Sequence, residues 1–243
     1  MRKITINLAA VAAFCIVVAS PALVSSSCAT PKTEQEDTTI IREDSGITAL
    51  KYSSPEVPAS IEFCGKTIDL SRFDRHERMD RELLAFTYMH STSLQMLKKA
   101  NRYFPIVEPI LKENGIPDDF KYLMVIESNM NPTARSSAGA AGLWQFMQGT
   151  GRDYGLEVNN NVDERYHIEK ATRAACRYLK DAYAKYKDWV AVAASYNAGQ
   201  ARIASQLAKQ DVDDSLDLQL VEETARYVYR ILAAKQLFNA PTT

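Results

Sequence analysis

The chain has 243 residues, 46% of them hydrophobic, and sets 29 Lys and Arg against 30 Asp and Glu for a net charge of −1 at pH 7. A near-neutral balance without a basic stripe excludes an electrostatic nucleic-acid surface, so no nucleic-acid partner is expected. The four cysteines and three histidines (His76, His90, His167) are scattered, with no metal-ligand spacing, so neither a metal nor a cofactor is expected.

The chain begins as a secretory leader. Arg2 and Lys3 precede an apolar run from Ile4 to Val24, and small residues follow it, which reads as a signal peptide over 1–27. The run is nearly long enough to span a bilayer, so an uncleaved anchor is the alternative. Ser26-Ser27-Cys28 resembles a lipoprotein cleavage box, with Cys28 as the lipidated residue; Ser25 stands where leucine is usual. An acyl anchor there would hold the protein on a membrane of the bacterial envelope, in the outer membrane or facing the periplasm. Residues 28–57 are rich in Thr, Ser, Glu, Asp and Pro, lack apolar periodicity and read as a disordered tether.

From residue 58 to 243 the sequence reads as one mainly α domain with a small N-terminal hairpin. Ile61, Phe63, Thr67 and Ile68 flank Cys64-Gly65, the signature of a two-stranded hairpin. Helical segments are expected near 77–90, 92–102, 105–114, 118–128, 142–154, 168–186, 188–197, 199–208 and 219–238, separated by Pro, Gly, Asn or Asp. Cys64 and Cys176 could form a disulfide in an oxidising compartment, but Cys176 sits in an alanine-rich helical run and reads better as a packed thiol.

The 118–128 segment carries the chemistry. Pro117 and Asp118 mark its start, with Asp118 as a capping carboxylate, and Asn131-Pro132 its end. Phe120, Leu123, Met124 and Glu127 recur at helical spacing, which puts Glu127 on the apolar face. Burial and the negative end of the helix dipole both disfavour its charged form, and a carboxyl kept protonated near neutral pH can act as a general acid. Most glycan-cleaving sites pair two carboxylates. The candidates for a second are Asp153, Glu157, Asp163 and Glu164; Asp163 and Glu164 read better as helix-start charges, and Arg135 and Arg152 as solvated or ion-paired residues. Taken singly, Trp144 and Phe146 read as core and Asn197-Ala198-Gly199 as an ordinary helix stop.

Taken together, Glu127-Ser128, the run AGAAGLWQFM from Ala138 to Met147, DYGL, DER, TRAA and Tyr196-Asn197-Ala198-Gly199 resemble the catalytic domain of the soluble lytic transglycosylase family. They are most similar to its membrane-bound lytic murein transglycosylase D group. Glu223 to Val228 is similar to a further family element, with Ala225 where arginine often stands; Ser195, Gln148 and Tyr229 also depart from the usual pattern, the latter two at positions where proline is frequent. The resemblance covers roughly residues 58–240 and implies a lysozyme-like catalytic domain with its core at about 105–238. It implies Glu127 as the catalytic acid and then base, and Ser136, Gln145, Met147, Tyr196, Asn197, Glu223 and Tyr227 as substrate-binding residues. The implied reaction cleaves the bond between N-acetylmuramic acid and N-acetylglucosamine in peptidoglycan strands without water. Assistance from the N-acetyl group replaces the second carboxylate, and a 1,6-anhydro end is left. A lysozyme-type hydrolase and a non-catalytic wall-binding protein remain open beside it.

Overall fold

A computed structural model describes residues 55–89 and 91–239. The expected signal peptide over 1–27, Cys28 and the tether up to residue 54 lie outside these residues, as does His90.

Strands β1 (Ser60–Phe63) and β2 (Lys66–Asp69) pair antiparallel, with Ile61 opposite Ile68. Cys64 and Gly65 form the turn with φ of 53° and 81°, the left-handed pair a two-residue hairpin needs. Alternation buries Ile61, Phe63 and Ile68 against the domain core. Cys64 and Cys176 do not bridge: both are free thiols. The Cys64 amide instead donates to Asp119 Oδ2 at 2.6 Å, and Cys176 is fully buried inside a helix.

Among the described residues eight helices follow: α1 (Phe73–Thr87), α2 (Ser91–Glu113), α3 (Lys121–Ser128), α4 (Gln148–Asp153), α5 (Ile168–Tyr186), α6 (Trp189–Ala198), α7 (Gln200–Lys209) and α8 (Glu222–Asn239). Short 3₁₀ turns precede α3, α5 and α8. Helix α6 is the centre. Val190 through Ser195 are all buried, the mark of a helix apolar on every side. Asp188 caps its start, accepting from the Val190 amide at 2.9 Å. Helices α5, α7 and α8 pack around it, and α8 in turn packs against α1 and α3. The alanines Ala171, Ala174, Ala175 and Ala182 on α5, with Ala191, Ala193 and Ala194 on α6, keep the side chains between these helices short.

Five expectations are corrected. The segments 92–102 and 105–114 are one helix that runs through Pro105 and Pro109. Met96, Ala100, Tyr103, Val107, Ile110 and Leu111 form one unbroken buried stripe, while both prolines lie on the exposed face. Proline costs a helix one bond and clashes with the preceding turn, but its φ is already helical; burial of the stripe wins. The segment expected at 77–90 starts and ends earlier, at Phe73 and Thr87. Of 142–154, only Gln148–Asp153 is helical, because the preceding residues fold as a bridged loop. Asp118 is no cap, since its carboxylate takes Lys121 Nζ at 2.6 Å. Helix α3 also stops at Ser128, ahead of Asn131-Pro132, because Asn129 and Met130 turn left-handed (φ 50° and 58°). Tyr229, where proline is frequent in the family pattern, lies inside an uninterrupted α8.

Candidate active site

Glu127 occupies the last turn of α3, whose residues Tyr122 to Ile126 are all buried. The short helix threads the core, so its end delivers a half-buried carboxyl against α8. Tyr227 of α8, 3% exposed, donates its hydroxyl to Glu127 Oε1 in a short hydrogen bond. Burial raises the Glu127 pKa, and the charge of Glu223 adds to that; the Tyr227 bond and the charge of Arg230 pull it back. Burial wins, so the proton is held above the ordinary carboxylate range.

Tyr196 of α6 donates to the Trp144 carbonyl at 2.7 Å. Burial first, and then the Glu127 charge, push its hydroxyl well above the usual tyrosine value. The same two causes raise Tyr227. Both phenols therefore stay protonated as donors. Neighbouring Asn197 accepts from Thr224 Oγ1 of α8 at 2.9 Å, which fixes its side-chain amide.

The loop from Ala134 to Met147 is built to hold one shape. Trp144 is fully buried, its indole donating to Thr172 Oγ1 at 2.9 Å. Ala141 bridges to Arg135 and to Phe146. Gln145 is left-handed at φ 49°, and its side-chain amide donates to the carbonyls of Gly142 at 2.8 Å and Ala134 at 3.2 Å. Gly142 has φ of 80°, and a Cβ there would sit 1.9 Å from the Arg165 carbonyl, so only glycine fits. Arg165, 4% exposed, grips the loop from the DER segment by donating to the carbonyls of Gly139 at 2.8 Å and Phe146 at 3.0 Å.

Gln145, Met147, Tyr196 and Asn197 line one cleft of about 290 Å³, together with Thr150 and Tyr178. Met147 is 46% exposed at its rim. Tyr178 stacks edge-on against Tyr196 at 5.1 Å, and burial pushes its hydroxyl up to about 12. Glu127 and Tyr227 are not part of this lining; they adjoin it through Tyr196. Two expected residues stand apart. Ser136 is exposed and closes its own turn, accepting at Oγ from the Ala140 amide at 3.0 Å. Glu223 is exposed as well and reaches Glu127 through its charge.

Of the candidates for a second carboxylate, Asp163 and Glu164 are both engaged. Asp163 forms a paired bond with Arg165, which holds it below the usual carboxylate range. Glu164 is bound by Lys170 and accepts from the Glu157 amide at 2.8 Å. Arg152 donates to the Val158 carbonyl at 3.1 Å, a structural role, and Arg135 is exposed. Among the described residues, no group of His, Cys, Asp and Glu could hold a metal ion.

Reading the sequence missed Tyr178, Thr224, Arg165 and Arg230. Tyr178 had a signal, because it falls on the buried stripe of α5 with Ala171, Ala174 and Ala182. Arg165 and Thr224 fall within the DER and Glu223–Val228 segments, but their partners Gly139, Phe146 and Asn197 are distant in sequence, and Arg230 leaves no local trace.

Residues 105–217 match the family model Transglycosylase SLT domain. Membrane-bound lytic murein transglycosylase D of Escherichia coli K12 is 30% identical over 168 residues, which are 67% of this chain and 36% of that protein. Peptidoglycan transglycosylase gp16 of Escherichia phage T7 is 31% identical over 123 residues, 49% of this chain and 9% of that protein. A solved structure, lytic transglycosylase Slt from Pseudomonas aeruginosa, superposes with a TM-score of 0.48 at 24% identity, covering 57% of this chain and 24% of that one. The chain thus spans about a third of the transglycosylase D it matches, and at residues 105–217 it carries an SLT domain.

Proposed function

We propose that this SLT-domain protein is a lytic transglycosylase that cleaves peptidoglycan glycan strands between N-acetylmuramic acid and N-acetylglucosamine and leaves 1,6-anhydro-N-acetylmuramic acid ends. The observation that carries the reading is a single half-buried carboxyl, Glu127, held by Tyr227 beside the cleft, its proton kept above the ordinary carboxylate range by burial, while Asp163 and Glu164 are tied up in ion pairs. The SLT match supports the same reading.

In this reading Glu127 first donates its proton to the glycosidic oxygen. The leaving sugar departs as the substrate's own N-acetyl oxygen bonds to the anomeric carbon. Glu127, now a carboxylate, then takes the proton of the 6-hydroxyl as that oxygen displaces the N-acetyl group. One bond breaks, an internal one forms, and the proton balance closes without water. The tethered hydroxyl outcompetes water through its high effective concentration. Tyr196 and Asn197 would orient the N-acetyl group, Gln145 and Met147 would line the sugar cleft, and Ser136 would meet the substrate from its exposed turn. Glu223 would act through its charge on Glu127.

The domain organisation is proposed as a signal peptide over 1–27, a lipidated Cys28 with a tether to 57, and the catalytic domain over 58–243. The similarity to membrane-bound lytic murein transglycosylase D supports a place in the bacterial cell envelope. Among the described residues no helix is long and apolar enough to cross a membrane. Cys28→Ala should release the protein from the membrane fraction; retention there, with no acyl mass on Cys28, would rule out the anchor.

The test of activity is digestion of purified murein, with the fragments weighed without reduction. Muropeptides one water lighter than hydrolysis products are expected. Ordinary reducing ends would show a hydrolase, and no fragments from folded protein would show a binding module.

A further inference from the structure

Glu82 lies in α1, in the part of the chain that precedes the SLT match. It is 2% exposed. Its Oε1 accepts from Arg226 Nε at 2.6 Å and its Oε2 from Arg226 Nη2 at 3.1 Å; Arg81 Nε adds a bond at 3.2 Å. A carboxylate at that depth persists only when paired and hydrogen-bonded, and a two-pronged arginine grip fixes orientation as well as distance.

Arg226 belongs to α8, one residue before Tyr227. Over Thr224 to Tyr227 this helix is tied in three directions. Thr224 holds Asn197 of α6, Arg226 holds Glu82 of α1, and Tyr227 holds Glu127 of α3. A helix advances about 1.5 Å and turns about 100° per residue, and an O–H···O bond is spent beyond about 3 Å. A slide or rotation of α8 by less than one residue therefore breaks the Tyr227 bond. We propose that Glu82 is a positioning residue of the active site, gripping Arg226 so that α8 sets the Tyr227 hydroxyl on Glu127. The part played by Glu127 in catalysis rests on the function proposed above; the grip itself does not.

Glu127 is faced by Tyr227, Arg230 and Glu223 of α8, and its charge acts on Tyr196 of α6. Glu82 is faced by Arg81 of α1 and Arg226 of α8, with Glu222 bound to Arg81. Within this set, a lost Tyr227 bond and a lost charge at Glu82 act on Glu127 with opposite signs. Losing the bond raises the Glu127 pKa. Neutralising Glu82 without moving α8 removes a negative charge and lowers it.

The experiment uses the full chain, with glutamate side-chain carboxyls labelled with carbon-13 and the Glu127 signal assigned by its loss in Glu127→Gln. Glu82→Gln should displace the Glu127 titration upward by about one pH unit. It should lower kcat on murein about tenfold with KM within about twofold, as a misplaced catalytic group does. In a Tyr227→Phe background, Glu82→Gln should add no further displacement, because both act on one bond. Arg72→Ala, at the residue just before α1, removes different ion pairs, with Asp217 and Asp74, and should move neither readout. If Glu82→Gln does not fold, the neutral pair Glu82→Gln with Arg226→Gln leaves no buried charge and carries the same expectation. An unmoved or lowered titration in a folded variant would overturn the proposal. So would additivity with Tyr227→Phe, or an equal displacement in Arg72→Ala. The titration needs no substrate, so a parent protein that leaves murein intact while its Glu82→Gln variant shows the upward displacement overturns the transglycosylase reading and upholds the positioning.

Discussion

Replacing Tyr227 by Phe removes one hydroxyl and almost no volume, which isolates the bond to Glu127. A hydrogen bond to a charged group is worth about 1.5–3 kcal/mol net, and one between neutral groups about 0.5–1.5 kcal/mol. The difference, about 1–1.5 kcal/mol, is what the Tyr227 hydroxyl contributes in favour of the carboxylate form. At about 1.36 kcal/mol per pH unit, its loss raises the Glu127 pKa by about one unit. Nothing compensates: burial, the largest influence, remains, Glu223 reinforces it, and Arg230 alone opposes. The effect on stability follows in sign. A carboxyl whose folded pKa is raised leaves stability intact below its unfolded pKa and removes stability as pH rises through the folded value. The variant should therefore lose about 0.5–1.5 kcal/mol near pH 4, where both states are protonated, and about 1.5–3 kcal/mol near pH 8. Two measurements check this: carbon-13 titration of the Glu127 carboxyl, and thermal melts of parent and variant across that range. A Glu127 pKa that stays or falls, or a Tm gap that is flat or narrows with rising pH, would refute the reasoning.

Glu127→Gln should lower murein clearing by at least about 10²-fold, since the amide has no proton to give. Its Tm near neutral pH should be no lower than the parent's, because a neutral group escapes the burial penalty on the charge; activity within tenfold of the parent would end the role. Gly142→Ala should prevent stable folding of the Ala134–Met147 loop, since its Cβ would overlap the Arg165 carbonyl at 1.9 Å on a backbone with φ of 80°. A loss of several kcal/mol is expected in a denaturant melt, as strain and overpacking add, and a parent-like midpoint would count against it. Thr224→Val should cost about 1 kcal/mol, measured by urea unfolding, because it removes the donor to Asn197 Oδ1 while keeping the shape; KM for murein should rise as Asn197 loses its fixed orientation, and an unchanged KM would separate Asn197 from substrate binding.

Part of this protein is decided within a few residues along the chain. Helix α5 runs over Ile168–Tyr186, the bounds its periodicity predicts. The hairpin turns at Cys64-Gly65, where the turn residues place it. Glu127 is carried toward the core because Phe120, Leu123 and Met124 share its helical face. Trp144 and Phe146 prove to be core, and Gln145, Met147, Tyr196 and Asn197 line one cleft.

Tertiary structure decided what depends on partners. Helix α2 continues through Pro105 and Pro109 because a buried stripe outweighs local breakers, and only the packed core makes that stripe count. Ser136 stays on its own exposed turn although the motif groups it with the cleft. The hydroxyl that holds Glu127 comes from Tyr227, a hundred positions away, and the carboxylate that grips Arg226 lies 144 positions away at Glu82. Propensity, capping and periodicity act over a turn or two of chain. Hydrogen bonds and ion pairs choose partners by distance in space, and side-chain packing fixes that distance only once the helices have met.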